Sequence, residues 1–258
     1  MSVLDRFRLD GKRALVTGAS RGLGREIALA LADVGADIVL VARPSDALDE
    51  SAAAITALGR TVTTFPADIS DPDIAAETCE RVLATGPIDI LVNNVGGRRE
   101  NVPIEAQTLD SWRAMMDLNL TAAVTCTRMI GKAMIDAGRG GRVINIASSN
   151  ASRVGRGIGG RHYEAAKAAI VQFTRAAAVD WAPHGITVNA ICPGLFMTAP
   201  NQRWAREKPE IIEAAVGNIP MGHAGDPKDI GPLAVYLASD ASCFMTGASL
   251  AIDGGTTC

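Results

Sequence analysis

The chain has 258 residues, 48% hydrophobic and 21% charged, a size and balance suited to one large α/β domain with a substantial core and not to a disordered chain. Its formal net charge of -3 supplies no global basic field, which argues against a nucleic-acid partner. No apolar run is long enough to span a bilayer, and residues 1–11 mix Asp5, Arg6, Arg8 and Asp10 where a signal peptide needs an apolar centre, so a soluble cytoplasmic protein without a membrane partner is expected.

Short β-rich apolar runs alternate with longer Ala/Leu-rich stretches of helical period, the pattern of a parallel sheet covered on both faces. Strands are predicted at 13–17, 37–42, 61–66, 88–92, 141–147, 186–191 and 249–252. Helices fill most intervals, among them 22–34, 71–84, 109–137, 164–181 and 228–238. No linker, low-complexity tract or repeat divides the chain, so the expected architecture is a single doubly wound Rossmann-type domain over 1–258, a seven-stranded parallel sheet with helices on both faces. Ligands of such sheets lie beyond the carboxyl ends of the strands.

The first predicted strand ends at Thr17 and runs into Gly18-Ala19-Ser20-Arg21-Gly22-Leu23-Gly24, which opens a helix. Glycines let a backbone turn tightly and approach a pyrophosphate, whose charge is favoured by the free N–H groups of the helix start. The loop alone also suits a packing turn or a methyltransferase, although a methyltransferase normally has an acid at the end of the second strand, where this chain has Ala42 and Arg43. Tyr163-Glu164-Ala165-Ala166-Lys167 puts a phenol and an amine on one helix face at i and i+4. A free tyrosine, with a pKa about 10, is a poor base near neutrality, and a neighbouring ammonium stabilises its phenolate. The five cysteines and three histidines are scattered without ligand spacing, so neither a disulfide framework nor a metal site is expected.

In order and spacing these motifs resemble the short-chain dehydrogenase/reductase family, over residues 9–256. The resemblance implies an NAD(P)(H)-dependent oxidoreductase that interconverts a secondary alcohol and a ketone. It gives Gly18, Ser20, Arg21, Gly22, Leu23 and Gly24 to the cofactor's phosphates, and Asp68, Ile69, Asn94, Val95 and Gly96 to its adenine side. Pro193, Gly194 and Thr198 go to the nicotinamide carboxamide. It assigns Tyr163 as proton donor and acceptor, with Lys167 beside it and on the nicotinamide ribose. Ser148 takes the reacting oxygen, and Asn119 continues a relay of protons through water. Two departures are visible. Val95 replaces the family's Ala, and the stretch from Ser148 to Tyr163 is about two residues longer than usual, which leaves Ser149 as a substitute for Ser148. The last-strand ending, Thr246-Gly247 and Asp253-Gly254-Gly255, resembles one that packs at a subunit contact, implying a homotetramer or homodimer.

An acid at the end of the second strand would repel a 2'-phosphate; Arg43 there, with Arg21, favours NADP(H) over NAD(H). Arg98, Arg99, Arg153, Arg156 and Arg161 cluster in loops at the carboxyl edge, which suggests a substrate with a carboxylate or phosphate, such as a sugar acid or a 3-oxoacyl thioester. Residues 200–217, with Arg203, Trp204, Arg206 and Lys208, are the expected substrate lid. The competing reading, a non-catalytic NADP(H)-binding regulatory protein, has no need of Tyr163 and Lys167 together.

Overall fold

The computed structural model describes residues 2–155 and 159–258. Among them, seven strands form one parallel sheet: β1 (Arg13–Thr17), β2 (Asp37–Ala42), β3 (Val62–Pro66), β4 (Ile90–Asn93), β5 (Gly141–Ile146), β6 (Ile186–Pro193) and β7 (Ser249–Ile252). Their order is β3-β2-β1-β4-β5-β6-β7, the doubly wound arrangement expected. Alternate residues of the inner strands enter different layers. Ala14 and Val16 of β1, with Ile38 and Leu40 of β2, pack under helices α1 (Gly22–Asp33) and α2 (Asp46–Ala57). Leu15, Val39 and Val41 face the other way, toward α3 (Pro72–Ala84). Every residue of β6 is buried, the polar Thr187 and Asn189 included, whereas edge strands β3 and β7 are half-exposed.

The span expected as one helix at 109–137 is divided. Helix α4 (Leu109–Met116) and α5 (Ala122–Ala137) flank a widened π-helical turn at Asp117–Thr121. Asn119 sits in that turn and donates its amide to the Met115 carbonyl at 3.1 Å, a local bond that competes with regular helix, and to the distant Gly97 carbonyl at 3.2 Å. Helix α6 (Arg161–Trp181) begins three residues earlier than expected, because Gly160 takes a left-handed φ of 75° into it and Arg161 pairs with Glu164 one turn on. The expected lid forms two short helices, α7 (Ala199–Glu207) and α8 (Pro209–Val216). Helix α9 (Ile230–Ala238) follows a Pro227–Asp229 turn held by an Asp226/Asp229 capping box, so it starts later than residue 228. Strand bounds elsewhere differ by one or two residues; β6 extends to Pro193 because β7 pairs with it there. No described helix is long and apolar enough to cross a membrane.

Candidate active site

Connections leave β1 and β4 in opposite directions, and a cleft of about 860 Å³ opens across the carboxyl ends at that switch point. The glycine loop forms one wall. Gly18 and Gly22 have left-handed φ of 65° and 61°, and a Cβ at Gly18 would lie 2.9 Å from the Asn94 amide nitrogen. Arg21 caps α1 without a side-chain hydrogen bond, so the helix's first N–H groups face the cleft unclaimed by a cap. Asn94 holds the wall in place. Its amide donates to the Thr17 and Gly18 carbonyls at 3.0 and 3.1 Å, and its N–H donates to the Thr17 hydroxyl at 2.9 Å.

Ser20, Leu23, Val95 and Gly96 line the same groove, as do Arg21 and Arg43 at the β2 end. Gly24 does not line it; a Cβ there would meet Asn94 and stand 2.5 Å from the Gly18 carbonyl, so the residue permits close packing behind the loop. Asp68 and buried Ile69 close the far end. Burial pushes the Asp68 carboxyl up, but two hydrogen bonds from Ser70 and the nearby Arg43 and Arg99 guanidiniums outweigh it and hold the group below the usual range. Pro193, Gly194 and Thr198 line the opposite end. An ordered cradle with left-handed glycines, unclaimed helix N–H donors and a basic end suits a dinucleotide with several phosphates.

Strand β5 ends at Ile146 and delivers Ser148 to the cleft; Ser149, buried beside it, is not among the lining residues. Tyr163, in the first turn of α6, and Lys167, one turn on, line the cleft with Ser148. Burial raises the Tyr163 phenol, while the neighbouring Ser148 hydroxyl and the Arg98 charge act against the rise. Lys167 is almost wholly buried and donates to the Ile146 carbonyl at 2.8 Å; burial lowers its pKa to about 8. Its Nζ stands 6.0 Å from the Tyr163 ring centre. Asn119 is buried behind them. Its Oδ1 accepts from Gly97 N–H at 2.8 Å, and a Cβ at Gly96 would press on that oxygen and on Lys167 Nζ, at 2.7 and 2.9 Å.

The arginine cluster reads differently in three dimensions. Arg98 lies over the Tyr163 ring and is tied to Gly160 and Glu164. Arg161 belongs to α6 and is also spent on Glu164, and Arg153 donates to the Thr256 carbonyl. Arg156 falls outside the described residues. Of the cluster's described members only Arg99 lines the cleft, so the expected grouping of loop cations toward the substrate is corrected: Glu164 pairs with Arg98 and Arg161, and a backbone carbonyl holds Arg153, which charge counting cannot show. In the lid, Arg203 pairs with Glu207 and Lys208 lies over Trp204. Sequence reasoning placed Arg99 at the carboxyl edge but missed Ser45, which lines the cleft two residues after Arg43.

A family model described as enoyl-(acyl carrier protein) reductase matches residues 18–257. The chain is 41% identical to a 2-dehydro-3-deoxy-D-gluconate 5-dehydrogenase of Pseudoalteromonas atlantica, over 98% of each chain. Its fold matches a short-chain type dehydrogenase/reductase of Mycobacterium marinum at 37% identity and TM-score 0.89, covering 100% of both. It also matches a 3-oxoacyl (acyl-carrier-protein) reductase of Agrobacterium tumefaciens, solved with NADP bound, at 32% identity and TM-score 0.92, covering 99% of this chain and 98% of that one. The chain therefore belongs to the short-chain dehydrogenase/reductase family. It is an NAD(P)-dependent oxidoreductase that interconverts an alcohol and a ketone.

Proposed function

We propose that Tyr163 is the group that passes the proton in this reaction, and that NADP(H) and an anionic sugar-type substrate are the preferred partners. The observation that carries the reading is the convergence of Ser148, Tyr163 and Lys167 on the cleft whose other end is the glycine loop. When bound, the nicotinamide supplies the hydride chemistry at the alcohol or ketone carbon. Tyr163 takes the hydroxyl proton as an alcohol is oxidised and returns it as a ketone is reduced. Ser148 donates to or accepts from the reacting oxygen and keeps it against the phenol. Lys167, anchored on the Ile146 carbonyl, presents its ammonium to the nicotinamide ribose side of the cleft. Asn119 holds the loop at Gly97, and so supports the floor against which Lys167 rests. Thr17 and Asn94 brace the glycine loop for the pyrophosphate, Gly24 allows that bracing, and Pro193, Gly194 and Thr198 hold the carboxamide.

The NADP(H) preference is supported by Arg43 and Arg21 in the wall beside β2, by the lack of an acid there, and by the NADP bound to the related reductase. An anionic substrate is supported by Arg99 in the cleft and by the sugar-acid dehydrogenase among the relatives. A cytoplasmic homotetramer or homodimer belongs to the same reading, supported by five unpaired cysteines and by the fully exposed Phe244 ahead of β7; sedimentation at the monomer mass would refute the assembly. The test is a panel of ketones and alcohols, neutral and anionic at matched size, assayed by nicotinamide absorbance with NAD(H) and NADP(H) in parallel. Turnover of sugar acids with NADP(H), lost in Tyr163→Phe, is expected. A clear preference for neutral substrates would defeat the substrate proposal, and full activity of Tyr163→Phe would defeat the proton assignment.

A further inference from the structure

Among the described residues, the cation nearest the Tyr163 ring is Arg98 and not Lys167. The Arg98 guanidinium carbon lies 4.7 Å from the ring centre, against 6.0 Å for Lys167 Nζ. Arg98 comes from the loop after β4, and a clasp holds it there. Its Nη1 donates to the Gly159 carbonyl and, at 3.1 Å, to the Gly160 carbonyl, and its Nη2 is 3.4 Å from Glu164 Oε1. Glu164 is the neighbour of Tyr163 in sequence, yet its carboxylate is buried, 8% exposed, and receives Arg161 Nη1 at 2.9 Å on both oxygens. Arg161 in turn donates to the Gly155 carbonyl. Two guanidiniums therefore share one carboxylate, and the cluster beside the phenol carries a net positive charge.

We propose that Arg98, held by Glu164 and Arg161, is a positioning residue that makes Tyr163 a stronger acid than its burial alone would allow. A cation over an aromatic face is attracted to the ring, and more strongly once the ring's oxygen is ionised. In a partly desolvated cleft the attraction is larger than in water. A buried ion pair gives little evidence of stabilising value by itself, so a clasp of this kind beside the reacting group has another use. Among the described residues, the charged and titratable groups facing the phenol are few. Glu164 and Lys167 come from its own helix, Arg98 from the loop after β4, and the Ser148 hydroxyl from the exit of β5; Cys192 at the end of β6 faces Lys167 and Ser148 instead. The clasp also joins the loop after β4 to residues 155 and 159–160, so both walls of the substrate end are pinned at the same carboxylate.

The inference rests on Tyr163 being the proton carrier, and its test separates the two. The chain has two tyrosines, Tyr163 and Tyr236, so subtracting the Tyr163→Phe titration from the parent's isolates the Tyr163 phenolate absorbance without any substrate. In Arg98→Met the Tyr163 midpoint is expected at least about one pH unit higher, a tenfold loss of acidity worth about 1.4 kcal/mol. Glu164→Gln keeps the shape but removes the opposing negative charge, and its midpoint is expected to move lower. The limiting pKa of kcat/KM for alcohol oxidation should follow the same opposite directions. Midpoints that stay with the parent in both variants overturn the proposal, and so do midpoints that rise in both, the mark of a loosened cleft. If Arg98→Met does not fold by circular dichroism, the direction in Glu164→Gln decides alone. Normal turnover by Tyr163→Phe, by contrast, sinks the proton assignment and leaves the titration to speak for the clasp.

Discussion

Lys167→Met replaces a buried amine with an apolar side chain of similar length, and its effect on stability depends on pH. The amine is 3% exposed and its pKa falls from 10.5 to about 8 through burial. At about 1.4 kcal/mol for each tenfold change in acidity, the gap between those values is worth about 3 kcal/mol. Below about pH 8 the folded and unfolded chains both hold the proton, and the folded protein bears the whole cost of burying the charge. Between about 8 and 10.5 the unfolded chain keeps a proton that the folded chain has released, so the parent gains stability as pH rises. Above 10.5 both states are neutral and the cost is gone. Urea unfolding of parent and Lys167→Met without nucleotide, at a series of pH values, reads the difference directly. The parent should gain about 3 kcal/mol relative to the variant across that window. A difference that stays flat or falls with rising pH would refute the reasoning, because it would mean that the amine is solvated in the folded protein.

Alcohol oxidation needs the phenolate and ketone reduction the phenol, so the first should rise with pH to a plateau and the second should fall over the same range, as read in pH profiles of kcat/KM. Gly24→Ala forces a Cβ to within 2.5 Å of the Gly18 carbonyl and against Asn94; nucleotide affinity should drop about tenfold or more, measured by nicotinamide fluorescence, with the fold destabilised by about 1–3 kcal/mol. Arg43→Ala should weaken NADP(H) about tenfold while leaving NAD(H) nearly unchanged, and equal losses for both would contradict the proposed contact with the 2'-phosphate. Asn145→Ala breaks a buried chain in which Asn93 donates to Thr127 and Asn145 at 2.8 Å and Asn145 donates to Thr174 at 2.9 Å; a loss of about 2–4 kcal/mol in urea unfolding is expected.

The sheet was legible because its signals are local. Alternating apolar runs mark each strand, and the glycines after β1 mark the switch point without any knowledge of what lies opposite. Tyr163 and Lys167 were legible for the same reason, since four residues of helix set their common face. What the linear order hides is pairing. Arg98 and Arg161 look like free loop cations until Glu164 is seen between them, although Arg161 and Glu164 at i and i+3 carry a trace of it. The choice between Ser148 and Ser149 depends on where β5 stops, a matter of one residue that hydrophobic patterning does not resolve. The wide turn at Asn119 interrupts the helix expected at 109–137; it is held by the Gly97 backbone, 22 positions away, and no helical period encodes that.

On the proposed reading, one chain both holds the dinucleotide and moves the proton through Tyr163. Measuring NADPH affinity and ketone turnover side by side in parent and Tyr163→Phe tests it most directly. Affinities within about threefold of each other, with turnover lowered by about a hundredfold or more, are expected. Turnover that survives the loss of the phenol oxygen, with nucleotide still bound, would contradict it.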